Sequence, residues 1–173
     1  VDAVVNGAGE TVGLYAGDVV EEHEESIKMG RKAYYTNVTS KSDVLIANTY
    51  AKANEATLAL GLWRSHVKEG GTVVIIAEAP EGQVTHYVYG KFGKERGGTL
   101  YGPSKKPKLS KIIIYSSYKV VDPLLPLAPY KDLTWVKTWE EVLEEIKNAH
   151  LNPRVAVLPN ADIQCPPEVL SSA

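Results

Sequence analysis

Cysteine is almost missing from this sequence. Cys165 is the only one among 173 residues, which excludes an intramolecular disulfide and a thiolate cage for a metal and suits a reducing cytoplasm. Long apolar runs are missing as well: none approaches the ~20 residues of a membrane-spanning helix, and no signal peptide is visible. The expected setting is therefore cytoplasmic, with no membrane partner. An excess of charge of one sign is also absent. Nineteen Lys and Arg against 21 Asp and Glu leave a formal net charge of -2, so no nucleic acid is expected as a partner. Methionine occurs once, at Met29, and the chain opens on VDAVVN, which already reads as a β-strand. The expectation is a single domain, 1–173, taken from a longer polypeptide.

Two glycine patterns imitate nucleotide-binding motifs and fail on their surroundings. Gly7, Gly9 and Gly13 follow a strand, but the residues after Gly9 include TVGLYA, which reads as a second strand. A dinucleotide fingerprint needs a helix there, so a turn between two strands is the better reading. Gly97 to Gly102 has the spacing of half a P-loop, yet Pro103 and Ser104 stand where Lys and Ser or Thr are required. Histidine spacing is equally unhelpful to a metal. His23, His66, His86 and His150 show neither HxxxH nor HExxH, and no protein-only metal site is expected.

Alternating elements are what the sequence does contain. Strands are predicted at 3–5, 11–16, 43–48, 72–79, 111–117, 133–136 and 154–159. Helices are predicted from Asp18 to near Tyr35, over 53–68, and from Thr138 to His150. Asp18 with Glu21 and Thr138 with Glu141 have the spacing of capping boxes, and Gly70-Gly71 is expected to stop the middle helix. The run TVVIIAEA carries no charge until Glu78, as expected of a strand covered on both faces. The pattern predicts an α/β three-layer fold with a mostly parallel sheet flanked by helices.

In such a sheet, ligands bind beyond the carboxyl ends of the strands. That rule gathers Asn48, Tyr50, Lys52, Asn54 and Glu55 after one strand. It also gathers Glu78, Glu81 and His86 after the next, Ser116 to Lys119 after a third, and Asn160 after the last. A carboxylate beside lysines and a histidine suits proton transfer or the holding of a carboxylate substrate. The stretch 91–119 also holds eight cations, Lys91, Lys94, Arg96 and Lys119 among them, against Glu95 alone. It is a candidate for binding an anion or an acidic partner.

Four segments, AGDVVEEH (16–23), SDVLIANTYAKANEA (42–56), VKEGGTVVIIAEAPEG (67–82) and RVAVLPNAD (154–162), resemble the C-terminal domain of the nickel-dependent lactate racemase family. The resemblance covers nearly the whole chain. It implies a two-domain racemase or epimerase of 2-hydroxyacids, with the site in a cleft between domains and a nickel-pincer nucleotide that takes a hydride from the substrate and returns it. In that family the N-terminal domain supplies the nickel ligand, the lysine that holds the cofactor and the catalytic histidines. The implied partners of this chain are therefore that N-terminal domain and a small hydroxyacid. No catalytic or metal residue is expected within 1–173. The family's Gln and Lys, three apart on a helix, fall here on Glu55 and Leu58. The pair is not preserved, which leaves Lys52 as the cation and points to a different hydroxyacid or a sugar acid. The substrate contacts implied are Lys52, Asn54, Glu55 and His86. The competing expectation is a non-catalytic module whose basic stretch recognises an anionic ligand or acidic protein.

Overall fold

The computed structural model describes residues 1–38, 40–84, 108–118 and 133–166. His86, Lys91, Lys94, Arg96 and Lys119 lie outside the described residues, as does most of the basic stretch. The chain divides into two compact units, one of 1–39 with 163–173 and one of 40–162.

The smaller unit opens with β1 (Asp2–Val5) antiparallel to β2 (Thr11–Tyr15), in the register Asp2 opposite Tyr15. Asn6 builds the turn: its side-chain oxygen accepts from the backbone N–H of Ala8 and of Glu10, and Gly9 adopts φ 82°. The glycines therefore serve a hairpin, as the strand-like TVGLYA implied. Helix α1 (Val19–Tyr34) starts where Asp18 accepts from Val20 and Glu21 N–H. Only this half of the expected box forms among the described residues. The helix ends where Cys165 N–H donates to Tyr34 O and Thr36 N–H donates to Cys165 O. Asp2 ties the ribbon to the helix, holding His23 Nδ1 and Ser26 Oγ at 3.0 Å each.

Among the described residues, the larger unit is a five-stranded parallel sheet with helices on its faces, a three-layer α/β arrangement. Its strands are β3 (Ser42–Asn48), β4 (Val67–Ile76), β5 (Lys111–Tyr115), β6 (Leu133–Val136) and β7 (Val155–Leu158), in the order β6-β5-β4-β3-β7. From β3 the chain steps outward to β4, β5 and β6, then returns to the other side of β3. Helix α2 (Thr57–Trp63) lies on the outward leg and α3 (Trp139–Ala149) on the return. Right-handed crossovers in opposite directions place the two helices on opposite faces. The burial agrees. Val142 and Ile146 of α3 pack on Val44, Ile46, Val74, Ile113 and Val136. On the other face, Leu45, Ala47, Val73 and Ile75 are fully buried, as are Ala59 and Trp63 of α2. Thr138 and Glu141 complete the capping box of α3 as expected.

Two sequence expectations give way to tertiary hydrogen bonds. The helix expected over 53–68 breaks into a 3₁₀ segment (Tyr50–Glu55), α2 and a 3₁₀ turn (Arg64–His66). Gln83 accounts for the first break: its amide accepts from Ala56 N–H and donates to Ala53 O, while Val84 N–H donates to Asn54 O. These bonds use the groups that a continuous helix would pair internally. The strand expected from Thr72 instead begins at Val67 and ends at Ile76. Gly70 and Gly71 lie inside it, opposite a break in register between Ser42 and Val44. Gly70 has φ 74° and Gly71 sits against its neighbours. A Cβ there would come 2.4 Å from Val67 Cγ1 and 2.8 Å from Asp43 O.

Gly71→Ala should therefore destabilise the sheet unit by about 1–3 kcal/mol through overpacking against backbone. Urea unfolding measures this, and an unchanged midpoint would show that the bulge relaxes freely.

Candidate functional site

The reversal at β3 makes the carboxyl ends of β3 and β7 the switch point of the sheet, where open α/β folds leave a crevice. Two short segments meet there. After β3 come Thr49 and the 3₁₀ segment with Lys52, Asn54 and Glu55. After β7 come Asn160, Ala161 and Asp162. Thr49 is fully buried, its hydroxyl donating to Ile76 O at 2.7 Å and its N–H to the same oxygen at 3.1 Å. Ala161 is held through both of its backbone groups: its N–H donates to Asn48 O at 2.7 Å, and its carbonyl accepts from Trp63 Nε1 at 2.8 Å.

This clamp sets Asp162 beside the 3₁₀ segment. Both of its carboxyl oxygens are buried and neither finds a hydrogen bond of normal geometry among the described residues. Loss of hydration is the main influence and pushes its pKa up to about 7. The Lys52 charge opposes that rise, the Glu55 carboxylate adds to it, and the Lys52 N–H counters it only weakly, being already bonded to Thr49 O. Lys52 Nζ pairs with Glu55 Oε2 at 3.3 Å, with the lysine side chain 49% exposed and the glutamate 18%. The cluster thus offers one ammonium, one carboxylate and one acid whose proton is exchangeable near neutrality, groups able to hold a polar ligand and to exchange a proton.

Of the residues expected from the sequence, Lys52 and Glu55 are brought together. Asn54 lies between them, and its carbonyl carries the bond to Val84. Glu78 does other work: it accepts from Ser117 N–H and Oγ at 2.8 and 3.2 Å, fixing the turn after β5. Lys111 pairs with Glu145. The histidines within the described residues have local partners: His150 Nε2 lies 2.8 Å from Thr72 Oγ1, His66 rests 5.2 Å from the Trp63 ring, and His23 meets Asp2. Asp162 was missed by sequence reasoning, although the rule that picked out Asn160 applies two residues further on. Among the described residues no three His, Cys, Asp or Glu side chains converge on a point that suits a metal, and no helix is long and apolar enough to cross a membrane.

Asp162 carries a pH signature. Its folded pKa lies above its ordinary value of 3.8, so the unfolded chain releases this proton first. The contribution of Asp162 to stability is full below about pH 4 and is lost as pH rises through about 7, by on the order of 2–4 kcal/mol in total. Asp162→Asn should remove that slope, as read by urea unfolding at pH 4.5, 6 and 7.5. Equal slopes in both proteins would mean that the carboxyl is solvated.

No protein-family model and no curated protein matches the chain. Among solved structures, the chain is similar to the lactate racemase apoprotein from Thermoanaerobacterium thermosaccharolyticum, with a TM-score of 0.64 and 15% sequence identity over 95% of this chain. The chain spans 44% of the length of that protein. The shared feature is the fold, a lactate racemase-like arrangement.

Proposed function

We propose that this chain is the C-terminal, substrate-closing domain of a hydroxyacid racemase or epimerase whose N-terminal domain holds a nickel-pincer nucleotide. The observation that carries the reading is the convergence of Lys52, Glu55 and Asp162 at the switch point of a sheet whose fold matches part of a lactate racemase. The described residues do not fit a nickel centre of their own, since no cluster of three suitable donors forms. The work left to this chain is to bind and orient the substrate. Lys52 donates to the substrate carboxylate. Glu55 accepts from hydroxyls further along the molecule, a preference for a sugar acid over lactate, with Asn54 beside them. The N-terminal domain and a small hydroxyacid are the partners this reading requires, and the cytoplasm is its setting.

Lys52→Ala in the full-length protein should lower kcat/KM about ten- to hundred-fold, the loss of a charge-assisted bond of about 1.5–3 kcal/mol. Stability should change by under about 1 kcal/mol, because the Lys52–Glu55 pair is partly exposed. Unaltered kinetics would move the substrate contact away from the 3₁₀ segment. Glu55→Gln should shift preference from sugar acids towards lactate, since a neutral amide repels a small monocarboxylate less. A panel of 2-hydroxyacids assayed by optical rotation reads this, and the same order of preference in both proteins would leave Glu55 outside substrate selection. The 173-residue chain incubated alone with nickel, cofactor and the same panel should leave optical rotation unchanged; racemisation by it would overturn the two-domain assignment.

A further inference from the structure

We propose that Asp162 is a proton-controlled positioning residue for Lys52: protonated, it leaves the ammonium on Glu55 and available to a substrate carboxylate, and ionised, it draws the ammonium inward. The proposal rests on the reading of Lys52 as the cation that meets substrate.

The geometry points to it in three steps. Asp162 is fixed in place by its neighbour, because Ala161 is bonded through both its N–H and its carbonyl to Asn48 and Trp63. Both carboxyl oxygens are buried with no hydrogen-bond partner of normal geometry. A buried carboxylate in that condition needs a donor, and removal of its proton raises that need sharply. Among the described residues, the charges acting on it are Lys52 and Glu55, both from the 3₁₀ segment. Lys52 is the one that can answer. Its side chain is half exposed, its bond to Glu55 is long at 3.3 Å, and an ammonium carries three donors on a flexible stem. The lowest-energy response to ionisation is for Nζ to turn from solvent towards Asp162, bridging the two carboxylates. Protonation reverses the move. The acid also titrates near neutrality, so the shift takes place where a cell would feel it.

This arrangement couples substrate and proton. A carboxylate bound at Lys52 adds a negative charge beside Asp162 and favours its protonated form, so binding takes up part of a proton. A substrate anion should therefore bind more weakly as pH rises through the titration of Asp162, in KM rather than in kcat.

The test reads Lys52 directly and requires no turnover. In the 173-residue chain, the Lys52 side-chain 15Nζ resonance and the Asp162 13Cγ resonance are followed from pH 5 to pH 9. The expected result is one shared midpoint near pH 7 in the wild type. In Asp162→Asn the Lys52 inflection should vanish, and in Asp162→Glu it should return with a displaced midpoint. A Lys52 signal without that inflection, or an inflection that persists in Asp162→Asn, overturns the proposal. If Asp162→Asn unfolds, Glu55→Gln decides instead: Lys52 should then follow Asp162 with a larger change, and an unchanged curve counts against the coupling. In the full-length protein, a KM for sugar acid that rises at least fivefold from pH 6 to pH 8 in the wild type and not in Asp162→Asn is the functional counterpart. Failure of Lys52→Ala to alter kinetics with the shared midpoint intact removes Lys52 from catalysis and leaves the coupling standing.

Discussion

The carboxyl edge of the sheet depends on one residue, Ala161. Trp63 is fully buried, so its single polar hydrogen must find an acceptor, and the carbonyl of Ala161 supplies it. The N–H of the same residue closes the end of β3 through Asn48. Breaking either bond would leave a buried donor unpaired at a cost of about 1–3 kcal/mol. These two bonds connect β3, α2 and the turn after β7. They hold the turn that carries Asp162, whose carboxyl oxygens are buried.

The electrostatics of the cluster follow from that burial. An acid near a lysine ordinarily titrates low, because the cation favours the charged form. The pKa of Asp162 is raised because burial outweighs the lysine, and the negative charge of Glu55 adds to the rise. Asp43, at the opposite end of β3, has the contrary balance. Lys68 Nζ at 2.7 Å and the Arg154 N–H at 2.8 Å hold its carboxyl below the usual range. Two aspartates near the two ends of one strand thus differ in whether hydrogen-bond donors reach them. Asp43 stays charged and braces the sheet, and Asp162 remains neutral until pH approaches 7.

A shared scaffold leaves the chemistry open, since function resides in side chains set upon it. At 15% identity the likeness to a lactate racemase is one of chain path. The 3₁₀ segment is where the backbone of this chain departs from a regular helix. Gln83 captures backbone groups on both sides of Asn54, and Lys52 adopts φ -135° and ψ 50°, outside helical geometry. Lys52 and Glu55 consequently project from a kinked turn, and their pairing at that turn is what sets this cluster apart from one built on a regular helix.

Local pattern was enough for most of the elements. The alternation of apolar runs with capped helices foretold β3, β5, β6, β7 and α3, because each answers to its own side chains. Val44 to Ala47 are buried on both faces, and Thr138 and Glu141 cap one another across three residues. The carboxyl-end rule likewise brought out Lys52 and Glu55. Contacts between distant residues decided the rest. Gly70-Gly71 resembles a helix stop, yet the approach of Asp43 O makes it a bulge within β4. The helix after β3 is broken by Gln83, some 27 to 30 residues further along the chain. Asp162 has the composition of any acid in a turn, and only the return of β7 to the side of β3, with Ala161 bonded from both directions, takes its carboxyl out of water. Burial depends on what the whole chain brings to a place, and that is why this residue's chemistry was invisible along the sequence and plain in the fold.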